Sequence, residues 1–243
     1  MAKNLVFIIP AAGSGTRMHS DIPKILLPVE DKSVISRTLE AVSSYSSITD
    51  LKVSCVIVTT AELTDELTSL VKKTFPDLSF LVTTGGATRT ESVSNGVSLI
   101  SSLVPDIAPD DIVLIHDGAR CLVTEEVING VVSGLKASPV CVAAVPVKDT
   151  LKITKTEDNK TSVVSTPDRS SIYAVQTPQG FRYETLVKCY DYAKEMAVNP
   201  TDDTALAEML GIEVAISEGD YSNIKITTPE DIAVAASILG KRL

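Results

Sequence analysis

The stretch Ile8–Leu27, IIPAAGSGTRMHSDIPKILL, constrains this chain more than any other. A β-branched apolar run, Leu5–Ile9, meets Pro10, two alanines and then Gly13-Ser14-Gly15-Thr16-Arg17. This pattern reads as a first parallel strand feeding a tight glycine loop. Small residues let backbone N–H groups approach a phosphate chain closely. Two cations follow, Arg17 and Lys24, with Pro23 stiffening the approach to the lysine. Both can neutralise charge as phosphoryl bonds change. The loop is not a P-loop, because no Gly-Lys-Ser/Thr occurs in the chain. It is not a Rossmann dinucleotide fingerprint either, since Met18 stands where the third glycine belongs. An ordinary turn after a strand would explain the glycines but not the two cations.

Strand-like and helical patterns alternate beyond the loop. Lys52–Thr60, Leu78–Thr83, Asp111–Ile115 and Cys141–Val147 read as strands, with helices over Ser33 onward, Glu62–Phe75, Thr90–Leu103 and Glu125–Ala137. Near-continuous apolar strands between helices predict an α/β fold, a mostly parallel twisted sheet with helices on both faces. Ligands on such sheets sit beyond the carboxyl ends of the strands. Three loops fall there: the glycine loop, Gly85-Gly86-Ala87-Thr88-Arg89, and His116-Asp117-Gly118-Ala119-Arg120. The pattern changes at residues 148–174, which are polar, alternating and turn-rich, with Asp158-Asn159 as the tip. They predict a protruding antiparallel hairpin that packs on another subunit, folds over the site, or stands out as a surface excursion. Regular organisation resumes with a strand at Gln176–Phe181, a helix over Tyr183–Met196 and a short one over Thr201–Leu210. Strands at Glu213–Ser217 and Asn223–Ile226 and a closing helix from Pro229 complete the reading. Residues 1–243 form one domain with an arm.

Size and charge limit what this fold can serve. The 243 residues, 44% hydrophobic and 22% charged, suffice for one sizeable core. A formal net charge of -9 argues against a nucleic-acid surface, and no run reaches membrane-spanning length. An anionic small substrate therefore needs a local cationic pocket. Cys55, Cys121, Cys141 and Cys189 form no CxxC pair and read as buried thiols in a reducing, cytoplasmic compartment. The apolar run after Lys3 is short and continues into the glycine loop, so it is not expected to be a signal peptide.

Asp117 directly follows a strand, so its carboxylate projects over the glycine loop, where it can hold Mg2+ together with phosphate oxygens. A turn or capping aspartate fits the same place. His116 is expected to face away and pack, and His19 to be a bystander. Arg120, Thr150, Arg169 and Lys225 form a second set at strand or hairpin ends, and arginine suits phosphate through its planar fork. Asp202-Asp203 reads as a helix cap before a second metal site, and Asp220 as a weak further metal contact.

Together these segments resemble the 2-C-methyl-D-erythritol 4-phosphate cytidylyltransferases of the non-mevalonate isoprenoid pathway. The matching stretches are Pro10–Met18 with Pro23-Lys24, Gly85–Gly96, His116–Arg120, Val145–Lys152, Asp168–Phe181, Thr201–Asp203 and Asn223–Asp231. The resemblance implies a nucleotide-diphospho-sugar transferase sheet, Rossmann-like, with an arm at 148–174 that interlocks in a homodimer. It implies that Ala11, Ala12, Gly13 and Gly15 cradle the CTP phosphates, with Arg17 and Lys24 catalytic. Gly86, Ala87, Ser92 and Gly118 complete the nucleotide site, and Asp117 holds Mg2+. Arg120, Thr150, Arg169, Thr177 and Lys225 hold 2-C-methyl-D-erythritol 4-phosphate, the arm residues in their own site or the partner's. Ile25 departs from the family's usual Gln, Ala87 from an acidic residue, and Gly118 and Cys121 from the more usual HDAARP. Ribitol-5-phosphate cytidylyltransferase is the nearest alternative, and a non-catalytic nucleotide-binding regulator is the alternative of another kind.

Overall fold

The computed structural model of the chain describes residues 2–13, 15–18 and 20–242. Ser14 of the glycine loop and His19 therefore lie outside the described residues. The strands are β1 (Asn4–Pro10), the short β2 (Pro28–Val29) and β3 (Lys32–Ser33), β4 (Lys52–Thr59), β5 (Ser79–Thr84) and β6 (Ile112–Ile115). They continue with β7 (Val140–Pro146), β8 (Ile153–Glu157), β9 (Lys160–Ser165), β10 (Tyr173–Arg182) and β11 (Val214–Glu218). The helices are α1 (Val34–Ile48), α2 (Thr64–Thr74), α3 (Arg89–Ser98), α4 (Ile100–Leu103), α5 (Glu125–Gly134), α6 (Tyr183–Met196), α7 (Thr204–Met209) and α8 (Pro229–Arg242).

Seven strands form one sheet in the order β11-β7-β10-β6-β1-β4-β5. β10 pairs antiparallel with both β6 and β7, and the other pairings are parallel. The strand alternation splits β1 between two cores. Leu5, Phe7 and Ile9 pack under α1, α2 and α5, while Val6 and Ile8 pack under α3, α6 and α7. Both faces of the sheet are thus covered, as the continuous apolar runs require. A third cluster, with Met18, Val29, Val34, Cys121, Leu122, Ile226 and Ala235, fixes α8 against the chain around the glycine loop. All four cysteines are buried and free.

Local chemistry accounts for the elements near the site. Ser33 caps α1 by accepting from Ser36 N, and Thr88 caps α3 by accepting from Glu91 N. α3 lies close on β1 and β4 because Gly96 has no side chain. A Cβ there would stand 2.8 Å from Ile8 Cγ2 and 3.1 Å from Val58 Cγ2. Gly96→Val is expected to cost about 1–3 kcal/mol through overpacking, read as a lower urea midpoint with an unchanged slope.

The arm is an antiparallel β8–β9 hairpin with Asp158 and Asn159 at its tip. Both tip residues have positive φ, 48° and 60°, the conformation of a two-residue hairpin turn that Asp and Asn tolerate. Three expectations need correction. Tyr173 and Ala174 belong to β10 and pair with β7, so the arm's return leg is part of the main sheet. The helix expected over 90–103 is broken at Leu99, whose amide bonds back to Gly96 and Val97. Asn223–Ile226 is not a strand: its alternation reflects Ile226 packing under α8, and Ile226 N donates to Ala119 O at 2.8 Å.

Candidate active site

Parallel pairing continues past the strand ends and brings the loops together. Ala11 N donates to Val58 O at 2.6 Å, Gly85 N to Thr59 O at 2.7 Å, and Gly118 N to Pro10 O at 3.0 Å. The three loops seen in the sequence are therefore stitched side by side at the carboxyl edge of β1, β4, β5 and β6. Between them lies a cleft of about 410 Å³.

Ala11, Ala12 and Gly13 form one wall of the cleft, and Gly86, Ala87 and Ser92 another. Lys24, Asp117 and Lys225 also line it, together with Arg89, which the sequence reading did not single out as a site residue. Lys24 enters on a single 3-10 turn, Lys24–Leu26, anchored by buried Ile25. Gly15 makes that approach possible. Its φ is +59°, and a Cβ would lie 3.0 Å from Lys24 Cβ. The second loop is held by its own chain: Gly86 N donates to Ser92 Oγ and Ala87 N to Glu91 Oε2.

Asp117 is the charge centre. It is 7% exposed, yet its carboxylate meets Lys225 Nζ at 2.7 Å, Arg89 Nη2 at 3.4 Å and Arg120 Nε at 3.9 Å. Burial pushes its pKa up, but Lys225 and Arg89 outweigh that and hold it down to about 2. The Lys24 pKa is also lowered, in its case away from the charged form. Burial lowers its pKa, Lys225 and Arg17 add to the fall, and Asp117 opposes it. Positive charge thus exceeds negative charge around the cleft, which favours an anionic ligand.

The remaining predicted residues stand elsewhere. Arg17 is exposed in the Thr16–Met18 turn, near enough for its charge to bear on Lys24. Gly118 is buried behind the cleft, and a Cβ there would be 3.2 Å from Ala11 Cβ, Ile35 Cδ1 and Ile9 Cγ2. Thr177 is buried and accepts from Asp117 N at 3.0 Å, so it steadies the metal candidate from behind. Arg120 donates to Asn223 O at 2.7 Å. Thr150 and Arg169 are exposed at the base of the arm, where Arg169 donates to Lys148 O. Neither lines the cleft of its own chain.

His116 is buried, with Nε2 on Arg120 O and Nδ1 on Thr177 Oγ1. Burial lowers its pKa to about 4, so it is neutral at physiological pH. Asp202 does cap α7, accepting from Ala205 N, but Asp203 does not; it binds Arg89 through both oxygens. Asp220 lies beside Ser222 and Arg242 and is not among the residues lining the cleft. The signal that could have found Arg89 is the capping pattern Thr88-x-x-Glu91, which puts it in the first turn of α3 beside the second loop. Asp203 was read as a cap or metal candidate, but nothing local in the sequence marked it as the partner of Arg89, 114 residues away.

Among the described residues, no three His, Cys, Asp or Glu side chains gather closely enough to hold a metal unaided. A divalent cation here would rest on Asp117 and on oxygens of the ligand, which is how Mg2+ commonly sits on triphosphates.

A mostly parallel sheet with a glycine loop, paired cations and one carboxylate at its carboxyl edge defines an α/β nucleotidyl-transfer enzyme. The model of the 2-C-methyl-D-erythritol 4-phosphate cytidylyltransferase family matches residues 5–241. The enzyme of that name from Trichormus variabilis is 40% identical over 238 residues, 98% of this chain and 99% of the relative. That from Desulforamulus reducens is 37% identical, covering 98% of this chain and 97% of the relative. A crystal structure of 4-diphosphocytidyl-2C-methyl-D-erythritol synthase from Anaerococcus prevotii superposes with TM-score 0.80 at 30% identity, over 98% of this chain and 96% of that one. The Thermus thermophilus cytidylyltransferase superposes with TM-score 0.73 at 27% identity, over 98% of both chains. The chain belongs to the 2-C-methyl-D-erythritol 4-phosphate cytidylyltransferase family.

Proposed function

We propose that the family's reaction runs in the cleft between Lys24 and Asp117. CMP passes from CTP to 2-C-methyl-D-erythritol 4-phosphate, giving 4-diphosphocytidyl-2-C-methyl-D-erythritol and pyrophosphate for isoprenoid precursors. The observation that carries this placement is the convergence of Lys24, Lys225, Arg89 and Asp117 on one floor built from the glycine loop.

In the reaction an acceptor phosphate oxygen attacks the α-phosphorus of CTP. A new P–O bond forms, the bond to the bridging β-phosphate oxygen breaks, and that oxygen leaves with pyrophosphate. The attacking oxygen is already anionic, so no general base is needed. Neutral His116, with both ring nitrogens occupied, is consistent with that. Ala11, Ala12, Gly13 and Gly15 leave room for the phosphates, while Gly86, Ala87 and Ser92 face the nucleoside. Lys24, with Arg17 near it, stabilises charge growing on the α-phosphoryl and leaving groups. Asp117 holds Mg2+, which supplies Lewis-acid stabilisation of the phosphate oxygens when bound. Lys225, Arg120 and Thr177 serve the acceptor side, with Thr150 and Arg169 reaching it from an arm.

The arm exposes Leu151, Ile153, Val163 and Val164, and β10 exposes Tyr173 and Val175. Such a surface supports a homodimer through residues 148–174. The free, buried thiols support a reducing, cytoplasmic setting.

The test is pyrophosphate release from CTP with 2-C-methyl-D-erythritol 4-phosphate or ribitol 5-phosphate, with and without chelator. Release is expected with the first acceptor only, and chelation is expected to stop it. Equal rates with both acceptors, or release that survives chelation, would overturn the reading.

A further inference from the structure

Three cations face Asp117, but they hold it unequally. Lys225 Nζ is in close contact with Oδ2 at 2.7 Å. Arg89 Nη2 stands 3.4 Å from Oδ1, longer than a good N–H···O bond. The same nitrogen lies 2.6 Å from Asp203 Oδ2, and Arg89 Nη1 lies 2.7 Å from Asp203 Oδ1. The two-pronged face of the guanidinium therefore belongs to Asp203.

Asp203 is not free to follow Arg89 toward the cleft. It is 2% exposed, and Tyr190 Oη donates to its Oδ1 at 2.5 Å. Its backbone N and that of Thr204 both donate to Gln179 Oε1, at 2.9 and 3.1 Å. Burial and the Asp203 carboxylate push the Tyr190 hydroxyl pKa well up, which keeps it a donor. Residues from β10, α6 and the start of α7 thus build a fixed socket whose only cation is Arg89 among the described contacts.

We propose that Asp203 is a positioning residue that withholds Arg89 from Asp117 and so keeps Asp117 Oδ1 open to a divalent cation arriving with the nucleotide. The inference rests on the reading of Asp117 as the metal ligand. Without the Asp203 charge, a half-buried guanidinium would be left with Asp117 as its nearest carboxylate. Leaving a buried charge unpaired is costly, so Arg89 would close on Asp117. The guanidinium and a divalent cation then compete for Asp117 Oδ1.

The experiment titrates Mn2+ into the full-length protein with saturating CTP and no acceptor. It reads the enhancement of water proton relaxation in the enzyme–CTP–Mn2+ complex. Asp203→Asn is expected to weaken Mn2+ binding about tenfold, as a competing buried ion pair would. Arg89→Gln/Asp203→Asn is expected to restore it to within about threefold, because the competitor is gone. Equal Mn2+ affinity in wild type and Asp203→Asn, or no rescue in the double variant, overturns the inference. Should Asp203→Asn fail to fold, Arg89→Gln alone decides: binding at least as tight as wild type supports the inference, and weaker binding overturns it. Asp117→Asn separates the two readings. If it leaves Mn2+ binding intact, or wild type binds none, the metal assignment falls and this inference with it. If it abolishes binding while Asp203→Asn does not weaken it, only this inference fails.

Discussion

Lys24→Ala is expected to lower kcat by about 10²–10³, a loss of about 2.7–4 kcal/mol of transition-state stabilisation. The KM for CTP should rise far less. The reason lies in what Lys24 touches before substrate arrives. Its ammonium is half-buried, and burial, Lys225 and Arg17 all act to lower its pKa. A lysine in that position is poorly solvated and has Lys225 close by, with only Asp117 and Asp231 opposing, so it gains most when negative charge appears beside it. Charge grows on the α-phosphoryl and leaving oxygens during transfer, whereas ground-state CTP is also held by backbone and by the other cations. An interaction that strengthens in the transition state shows in kcat more than in KM. Lys24→Arg keeps the charge but replaces a compact ammonium with a planar fork on a longer, bulkier head group. It should recover part of the rate and not all of it. Steady-state pyrophosphate release over a CTP series separates the two constants. An unchanged kcat in Lys24→Ala removes the residue from the chemistry.

What the sequence made legible, and what it hid, follows from how far each signal reaches along the chain. Leu5–Ile9, Lys52–Thr60 and Asp111–Ile115 were visible as strands because buried parallel strands are apolar on both faces. The loops after them could be placed at one sheet edge from topology alone, which is why Lys24, Asp117 and Gly86 share a cleft. Pairing direction carries no such mark. Gln176–Phe181 looks like any other strand, yet it runs antiparallel between β6 and β7. Asn223–Ile226 misled because its alternation comes from Ile226 under α8 and not from a ladder. There, Lys225 is carried to Asp117 by an extended segment with its own anchor. The hidden part of the site is the long-range pairing. Arg89 and Asp203 sit in separate motifs, and no local propensity joins a helix start to a second helix start 114 residues on. Buried ion pairs of this kind are set by tertiary placement, so a single sequence shows the two charges and not their bond.

Asp111→Ala is expected to destabilise the fold by about 3–5 kcal/mol, since hydrogen bonds to a charged group are worth about 1.5–3 kcal/mol each and are not additive. The carboxylate is 1% exposed and accepts four bonds. Lys3 N and Asn4 N reach Oδ1 at 2.7 and 2.9 Å, while Asn4 Nδ2 and Ala108 N reach Oδ2 at 2.7 and 2.8 Å. Alanine would leave these donors without an acceptor. Burial alone would raise the Asp111 pKa, but the bonds from Ala108, Asn4 and Lys3 prevail and hold it below its usual value. The folded carboxyl therefore binds its proton less readily than the unfolded one. Its stabilisation is complete above the unfolded pKa, about 3.9, and is lost as pH falls through the lower folded value. Urea midpoints should then show the gap between wild type and Asp111→Ala widest near neutrality and narrowing in acid. Two parallel pH curves would mean that the carboxylate charge does not contribute. The consequence also reaches the chemistry. Asp111 clips the start of β1 to the start of β6, and those strands pair in register from Leu5 with Ile112 to Ile8 with Ile115. Their far ends carry the glycine loop and Asp117, so a folded Asp111→Ala population should also lose kcat through a loosened spacing between Lys24 and Asp117.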